Sequence, residues 1–285
     1  MPEPRFVAAC VQMRSGRDPA ANRDAAVAGV REAAARGAHY VQTPEMTALV
    51  ERDRARLFDR VRTQDADETL AALRDTARAT GTVVHIGSLA IRAGDRIANR
   101  AFLIDAEGAI TAAYDKLHLF DVDLPSGERW RESATYTGGA CAVVAPTPWA
   151  EIGLGICYDV RFPALYRALA EAGATVLTAP ACFTRQTGEA HWHVLHRARA
   201  IETGSFMISA AQGGRHEDGR ETYGHSLIVD PWGRMLAEAG GAEPGVILAE
   251  IDLSAVAEAR ARIPALQHAK PFTVERIGSA RGVRP

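Results

Sequence analysis

Gly153-Leu154-Gly155-Ile156-Cys157-Tyr158-Asp159-Val160-Arg161-Phe162-Pro163 is the stretch on which this chain turns. The apolar residues from Ile152 to Ile156 read as the end of a buried strand. Phe162 and Pro163 open a helix that runs through Ala170, with proline in the first turn, where a backbone N–H would go unpaired in any case. Cys157 therefore stands at a strand-to-helix turn, exposed at the carboxyl edge of a sheet. Backbone N–H groups at such a turn favour a thiolate and a nearby oxyanion. A buried structural cysteine is the alternative reading.

Working outward, the same strand-end logic recurs. Residues 5–13 read as a buried strand. Asp18 caps a helix with Pro19 in its first turn, and Gly37 ends it. His39 to Thr43 is a second strand, so Glu45 also lies at a carboxyl end. A helix over 66–79, begun by Asp65 or Asp67, leads to a strand over 83–89. Asp105-Ala106-Glu107-Gly108 joins strands Asn99–Ile104 and Ile110–Tyr114 as a hairpin. The segment Asp115 to Gly139 is polar, aromatic and aperiodic, and a loop of that length inside a compact domain is usually functional. Beyond Cys157 follow a strand from Thr175 to Pro180, a helix from His191 to Thr203, and a strand from Phe206 to Ala211. A hairpin around Pro231-Trp232-Gly233, a strand from Val246 to Ile251, and a helix from Ser254 to Arg262 complete the pattern. With no repeat or flexible linker, residues 1–285 read as one domain, 263–285 being an irregular tail. About eleven strands mixing crossovers with hairpins predict two packed mixed sheets with helices outside, an α/β class.

Composition narrows the function. The chain has 285 residues, 47% hydrophobic and 24% charged, with a net charge of -2. It carries no basic footprint for nucleic acid or an anionic membrane. No window reaches the ~18 apolar residues of a membrane span, and the N-terminus shows no signal-peptide pattern. The four cysteines, Cys10, Cys141, Cys157 and Cys182, are widely spaced, which suits a reducing, cytoplasmic setting.

Glu45, Lys116 and Cys157 form a chemical set. A thiol needs a base, and a carboxylate buried at a strand end can have its pKa raised toward neutrality and take that proton. An ammonium nearby would stabilise the thiolate and an anionic tetrahedral intermediate. A salt bridge for Glu45 and a solvated loop position for Lys116 are the plain alternatives.

The three stretches Val41-Gln42-Thr43-Pro44-Glu45-Met46, Tyr114-Asp115-Lys116-Leu117-His118 and Gly155-Ile156-Cys157-Tyr158-Asp159 resemble, in order, the catalytic motifs of the nitrilase superfamily of carbon–nitrogen hydrolases. The resemblance runs from about Arg5 to Phe272. Arg131-Glu132-Ser133, Thr187-Gly188-Glu189-Ala190-His191-Trp192 and Tyr223-Gly224-His225-Ser226 are similar to its Nit subgroup, which includes omega-amidase and deaminated-glutathione amidase. The resemblance implies a four-layer αββα sandwich that forms homodimers or larger homo-oligomers. It implies Glu45 as general base, Cys157 as nucleophile, and Lys116 with the backbone N–H after Cys157 as oxyanion donors. Glu132 matches the family's second pocket glutamate, with Glu128 a near alternative. The implied reaction converts a small carboxylate-bearing amide to acid and ammonia through a thioester, with no metal or organic cofactor. A nitrilase or N-carbamoyl amino acid amidohydrolase using the same residues, and a catalytically silent metabolite-binding protein, are the other readings.

Other residues carry weaker signals. By resemblance His191 and Trp192 border the substrate pocket, and Tyr158, Phe183, Thr184 and Tyr223 are pocket-wall candidates. His191-x-His193-x-x-His196 suggests a metal, but His191 and His193 face apart on a helix and no nearby carboxylate completes a set. His118 reads as support for the loop of Lys116. Arg161 reads as holding its turn through a bidentate pair with Asp159. Arg129, Arg131, Arg185 and Arg215 are candidates for a substrate carboxylate. Cys10, Cys141 and Cys182 read as inert, in or at the ends of apolar strands, with Cys182 able to border the pocket.

Overall fold

The alternation of the first strand, Arg5–Gln12, divides its side chains between two cores. Phe6, Ala8 and Cys10 join Tyr40, Leu103, Ile152, Leu177 and Val229 in a core shared by two sheets. Ala9 and Val11 face the other way and pack with Val30, Leu73, Val84 and Phe102 beneath two helices. The computed structural model describes residues 5–124 and 127–277.

The first sheet runs, in spatial order, Gly245–Asp252, Arg5–Gln12, Tyr40–Gln42, Val83–Ala93, Arg96–Ile104, Ile110–Asp115, and Tyr136–Thr137 pairs with Arg96–Ile104. The second runs Met235–Glu238, Leu227–Val229, Phe206–Ser209, Val176–Thr178, Glu151–Leu154, Val143–Pro146. In each, three central strands are parallel and the flanking ones antiparallel, except Tyr136–Thr137, which pairs parallel with Arg96–Ile104. Helices Pro19–Ala35 and Glu68–Thr80 pack on the first sheet, and Pro163–Glu171 and Arg185–Thr203 on the second. The architecture is the αββα sandwich expected. No helix among the described residues is long and apolar enough to cross a membrane.

Local chemistry explains the boundaries. Asp18 accepts a hydrogen bond from Ala20 N, and Asp67 one from Leu70 N, so each caps its helix. Gly81 ends the second helix in the left-handed region, at φ 65°. Three elements differ from the sequence reading. The long helix begins at Arg185, six residues before His191. A Cβ on Gly188 in that first turn would come within 2.3 Å of Tyr223 Cβ, so the helix needs glycine there to pack. The segment after Asp115 is not irregular throughout. Asp121–Asp123 and Arg129–Arg131 pair as a short hairpin, followed by a 3-10 turn over Glu132–Ala134. A short helix, Arg54–Arg60, was not expected, although Asp53 caps it by accepting from Arg56 N. Past Ile263 the described tail holds neither helix nor strand, and Phe272, Val274 and Ile277 are exposed. The last part of the expected tail, residues 278–285, lies outside the described residues.

The two sheets come close at Gly87. A Cβ on it would lie 2.2 Å from Thr43 O and 2.5 Å from Pro180 Cβ. Thr43 leads to Glu45 and Pro180 leads to Cys182, so this absent side chain lets strand ends from both sheets converge.

Candidate active site

Four strand ends and one loop supply the site. Glu45 follows the strand Tyr40–Gln42. Its carbonyl accepts from Gln212 Nε2, and Met46 N donates to Ser88 Oγ. Met46 itself sits at φ 58°, a left-handed conformation that bends the chain sharply just past the carboxylate. Lys116 follows Ile110–Asp115 and is fixed at both backbone groups, its N–H to Asn99 O and its carbonyl from Gly139 N. Cys157 follows Glu151–Leu154, at φ 48°. A non-glycine residue there is strained, and such strain concentrates where a side chain must be aimed. The turn after it is a 3-10 segment over Cys157–Arg161, not a direct entry into helix. Cys182 follows the fourth strand, Val176–Thr178.

These ends converge. Lys116 Nζ lies 2.8 Å from Glu45 Oε1 and 2.9 Å from Glu132 Oε2. The Cys157 thiol stands beside the Glu45 carboxylate, near enough that each shifts the other's protonation. Glu45 Oε2 accepts from Cys182 N at 2.8 Å. Asn99 Nδ2 donates to both carboxylates, at 2.9 Å to Glu45 and 3.1 Å to Glu132. Glu132 also accepts from Phe120 N at 2.7 Å. Glu128 is elsewhere, its carboxylate accepting only a weak bond from Trp130 Nε1 at 3.3 Å among the described residues.

Burial and charge set the protonation states, and two expectations are corrected. Cys157 is not exposed at the sheet edge; only 7% of its surface is accessible. Burial, first, and then the Glu45 charge push its pKa well above the usual 9.0, against a smaller opposing pull from Lys116. The resting group is a neutral thiol. Glu45 does not have a raised pKa. Burial would raise it, but Lys116, the Cys157 thiol and the Cys182 N–H together hold it below the usual 4.5. Lys116 is 2% exposed, and burial opposes its charge, yet Glu132, Glu45 and Cys157 raise its pKa well above 10.5. At rest Glu45 is thus a carboxylate, Lys116 an ammonium and Cys157 a thiol.

A cleft of about 350 Å³ opens over this cluster, and all four groups line it. Tyr158, Phe183 and Thr184 line it as well, as does Cys182. His191, Trp192 and Tyr223 do not. Trp192 is fully buried between Phe183 and His196 and donates to His225 O. His191 is exposed and bonds Arg161. Tyr223 stacks on His225. The first turn of the long helix, not its middle, faces the cleft, because the helix starts earlier than expected. Of the four candidate arginines, Arg129 and Arg131 line the cleft. Arg185 is exposed and paired with Glu189 and Glu221, and Arg215 is not part of the wall. Arg52, Arg54 and Arg220 line it unforeseen; Arg52 and Arg220 lie over the Trp130 ring, at 4.2 and 4.9 Å.

Asp159 was also underread. It is fully buried and accepts from Ile156 N at 2.9 Å, Tyr114 Oη at 2.7 Å and His118 N at 3.1 Å, and it pairs with His118 Nδ1 at 2.7 Å. One carboxylate therefore ties the turn of Cys157 to the loop of Lys116. His118 does support that loop, stacked on Phe162 at 3.5 Å. Arg161 makes no pair with Asp159; its guanidinium sits 5.0 Å over Phe183. Cys10 is buried, whereas Cys141 is exposed and precedes, rather than joins, the strand Val143–Pro146.

Comparison with known proteins adds independent findings. The profile of the carbon-nitrogen hydrolase family matches residues 7–261. A human protein named deaminated glutathione amidase is 39% identical over 279 residues, covering 96% of this chain and 84% of its own. The crystal structure of the C. elegans NitFhit protein superposes with a TM-score of 0.88 at 34% identity, covering 95% of this chain and 66% of that one. A mutant amidase from Nesterenkonia sp., carrying the product of Michael addition of acrylamide at its active site cysteine, superposes at 0.76 with 26% identity. That match covers 91% of this chain and 98% of the amidase.

Proposed function

The chain belongs to the carbon-nitrogen hydrolase family as a cysteine amidase of the nitrilase superfamily, and on that premise we propose that Cys157, Glu45, Lys116 and Glu132 carry its chemistry. The observation that carries the proposal is the buried 2.8 Å pair of Glu45 with Lys116 in the cleft that Cys157 and Glu132 also line. It hydrolyses carbon–nitrogen bonds other than peptide bonds. Its substrate is a small amide whose acyl part bears a carboxylate, of the deaminated-glutathione or omega-amidase type. Arg52 and Arg54 at the cleft wall suit such an anion, whereas Arg129 and Arg131 already pair with Asp123, and deaminated glutathione amidases recur among its relatives.

The protonation states order the steps. Cys157 Sγ attacks the amide carbonyl carbon while its proton passes to Glu45, because the free thiol does not ionise ahead of attack. Neutralising Glu45 removes one partner of Lys116, whose N–H then turns toward the new oxyanion, with the Tyr158 N–H as second donor. Glu132 keeps the ammonium charged and in place throughout. The C–N bond breaks as Glu45 gives its proton to the leaving ammonia or amine. Water enters, loses a proton to Glu45, and attacks the thioester carbonyl. The Cys157 sulfur leaves as the acid forms and regains the proton. No step calls for a metal or organic cofactor.

We read the chain as one catalytic domain that pairs with a second copy, since Val194, Ile201 and Trp232 expose apolar surface; light scattering on the purified protein tests this. The catalytic thiol suits the cytoplasm. The decisive experiment is ammonia release from alpha-ketoglutaramate, deaminated glutathione cleavage, and the same assays on a carbamoyl amino acid and an aliphatic nitrile. Turnover of the first pair, abolished in Cys157→Ala with its thermal midpoint kept, is the expected outcome. Preference for the nitrile or carbamoyl compound would move the assignment within the superfamily. More than a few per cent of the parent rate in Cys157→Ala would overturn the site. Failure of Cys157 to react with iodoacetamide would favour a binding protein.

A further inference from the structure

His193 projects from the long helix Arg185–Thr203, and its Nε2 lies 2.9 Å from Glu238 Oε1. His225 Nδ1 reaches the same oxygen at 2.7 Å from the loop before the strand Leu227–Val229. Glu238 ends the strand Met235–Glu238. The three ligand atoms all lie within 4.8 Å of one another. None of the three residues lines the catalytic cleft. The sequence reading sets a metal aside because His191 and His193 face apart on a helix; the carboxylate that meets His193 comes from a strand, 45 residues on.

Two features set this apart from an incidental surface ion pair. His225 holds φ 55°, a conformation costly for a residue with a Cβ, and in it the ring is turned onto Glu238. Tyr223 stacks on His225 at 4.2 Å and meets His193 edge-on at 5.9 Å, so both rings are braced before any ligand arrives. Two imidazole nitrogens and one carboxylate oxygen are the donor set of divalent transition ions of the zinc class. Ligand atoms around tetrahedral zinc stand about 3.3 Å apart for bonds of ~2.0 Å. Small side-chain rotations would open the two short contacts to that spacing.

We propose that His193, His225 and Glu238 bind one zinc-class divalent ion per chain, with solvent completing its coordination. The ion sits where N–H groups now bridge the rings to Glu238; each neutral ring carries its single proton on its other nitrogen, so that the lone pairs of His193 Nε2 and His225 Nδ1 face the ion. It clips the long helix to the hairpin of the second sheet. The site is distinct from the amidase chemistry and needs no part of it.

The test is calorimetric titration of the metal-stripped full chain with Zn2+, alongside His193→Gln and His225→Asn. Glutamine keeps a bond to Glu238, and asparagine tolerates the left-handed backbone, so both variants retain the fold; their metal-free thermal midpoints check this. One ion per chain, with affinity at least tenfold weaker in each variant and a Zn2+-dependent rise in thermal midpoint lost in both, is the expected result. Absence of binding at millimolar Zn2+, or equal binding in parent and both variants, would overturn it. Co2+ distinguishes the thiols as a source: a sulfur charge-transfer band would assign the ion to cysteine and also overturn the proposal.

Discussion

The strand end that carries Glu45 and the loop that carries Glu132 each present a carboxylate to the same two groups, Lys116 Nζ and Asn99 Nδ2. Their remaining partners differ. Glu45 meets the Cys157 thiol and the Cys182 N–H, and its backbone is clamped by Gln212. Glu132 meets Phe120 N in the loop and does not meet the thiol. Two anions on one ammonium thus divide the work by their third contact. On the proposed mechanism Glu45 moves the proton, whereas Glu132 holds a charge and a shape.

The largest expected effect separates these roles. Glu45→Gln should lower amide turnover by about a thousandfold or more, since proton transfer and the nucleophile act as a unit. An activated ester, whose leaving group needs no proton, should still acylate this variant, and intact mass should show the stalled acyl-enzyme. Lys116→Ala should acylate poorly with either substrate, because an oxyanion donor is worth roughly a hundred- to thousandfold. Equal ester acylation of the two variants would show that the roles are misassigned.

Glu132→Gln should cost less, about ten- to a hundredfold in kcat, with amide and ester affected alike, since it acts on the position of Lys116. Selective recovery with the ester, as in Glu45→Gln, would erase the contrast between the two carboxylates.

Acid should reach the frame beneath Glu45 before Glu45 itself. His85, beside Tyr40 and Gln42, and His196 are both pushed down by burial from 6.5 to about 3. An unfolded chain binds protons at these rings below pH 6.5 that the folded chain refuses. Stability is therefore full above 6.5 and is lost as pH falls toward 3, by up to ~1.4 kcal/mol per pH unit per ring. Glu45, whose pKa is lowered, loses its own contribution only below 4.5. Thermal midpoints at pH 7.5, 6 and 5 should fall steadily; constant values would contradict the buried neutral state. Smallest of all, Glu128→Gln should leave turnover within about twofold, because that carboxylate has no part in the cluster.

How much of this was legible shows at particular residues. Asp18, Asp67, Gly81 and the Asp105 turn act through neighbours two to four residues away, so their chemistry is written locally. The alternation of Phe6, Ala8 and Cys10 against Ala9 and Val11 likewise follows from strand geometry alone. Glu45, Lys116 and Cys157 could be nominated because each stands just past a strand, but joining them needed the family pattern. The helix start at Arg185 was hidden, since Gly188 weakens helix propensity and its packing partner Tyr223 is remote in the chain.

What the sequence determined, then, was everything settled within a turn or a strand: the caps, the hairpins, the two-faced strands, and three chemically suited residues at strand ends. The tertiary structure alone decided their charge states. Burial and the mutual field of groups 41 to 137 residues apart made Cys157 a thiol and Glu45 a low-pKa carboxylate, reversing the local expectation for both. It alone placed Asp159 between the nucleophile turn and the loop of Lys116, and set His193, His225 and Glu238 around one point. Hydration and Coulomb interactions depend on distance in space, and only the folded chain fixes those distances.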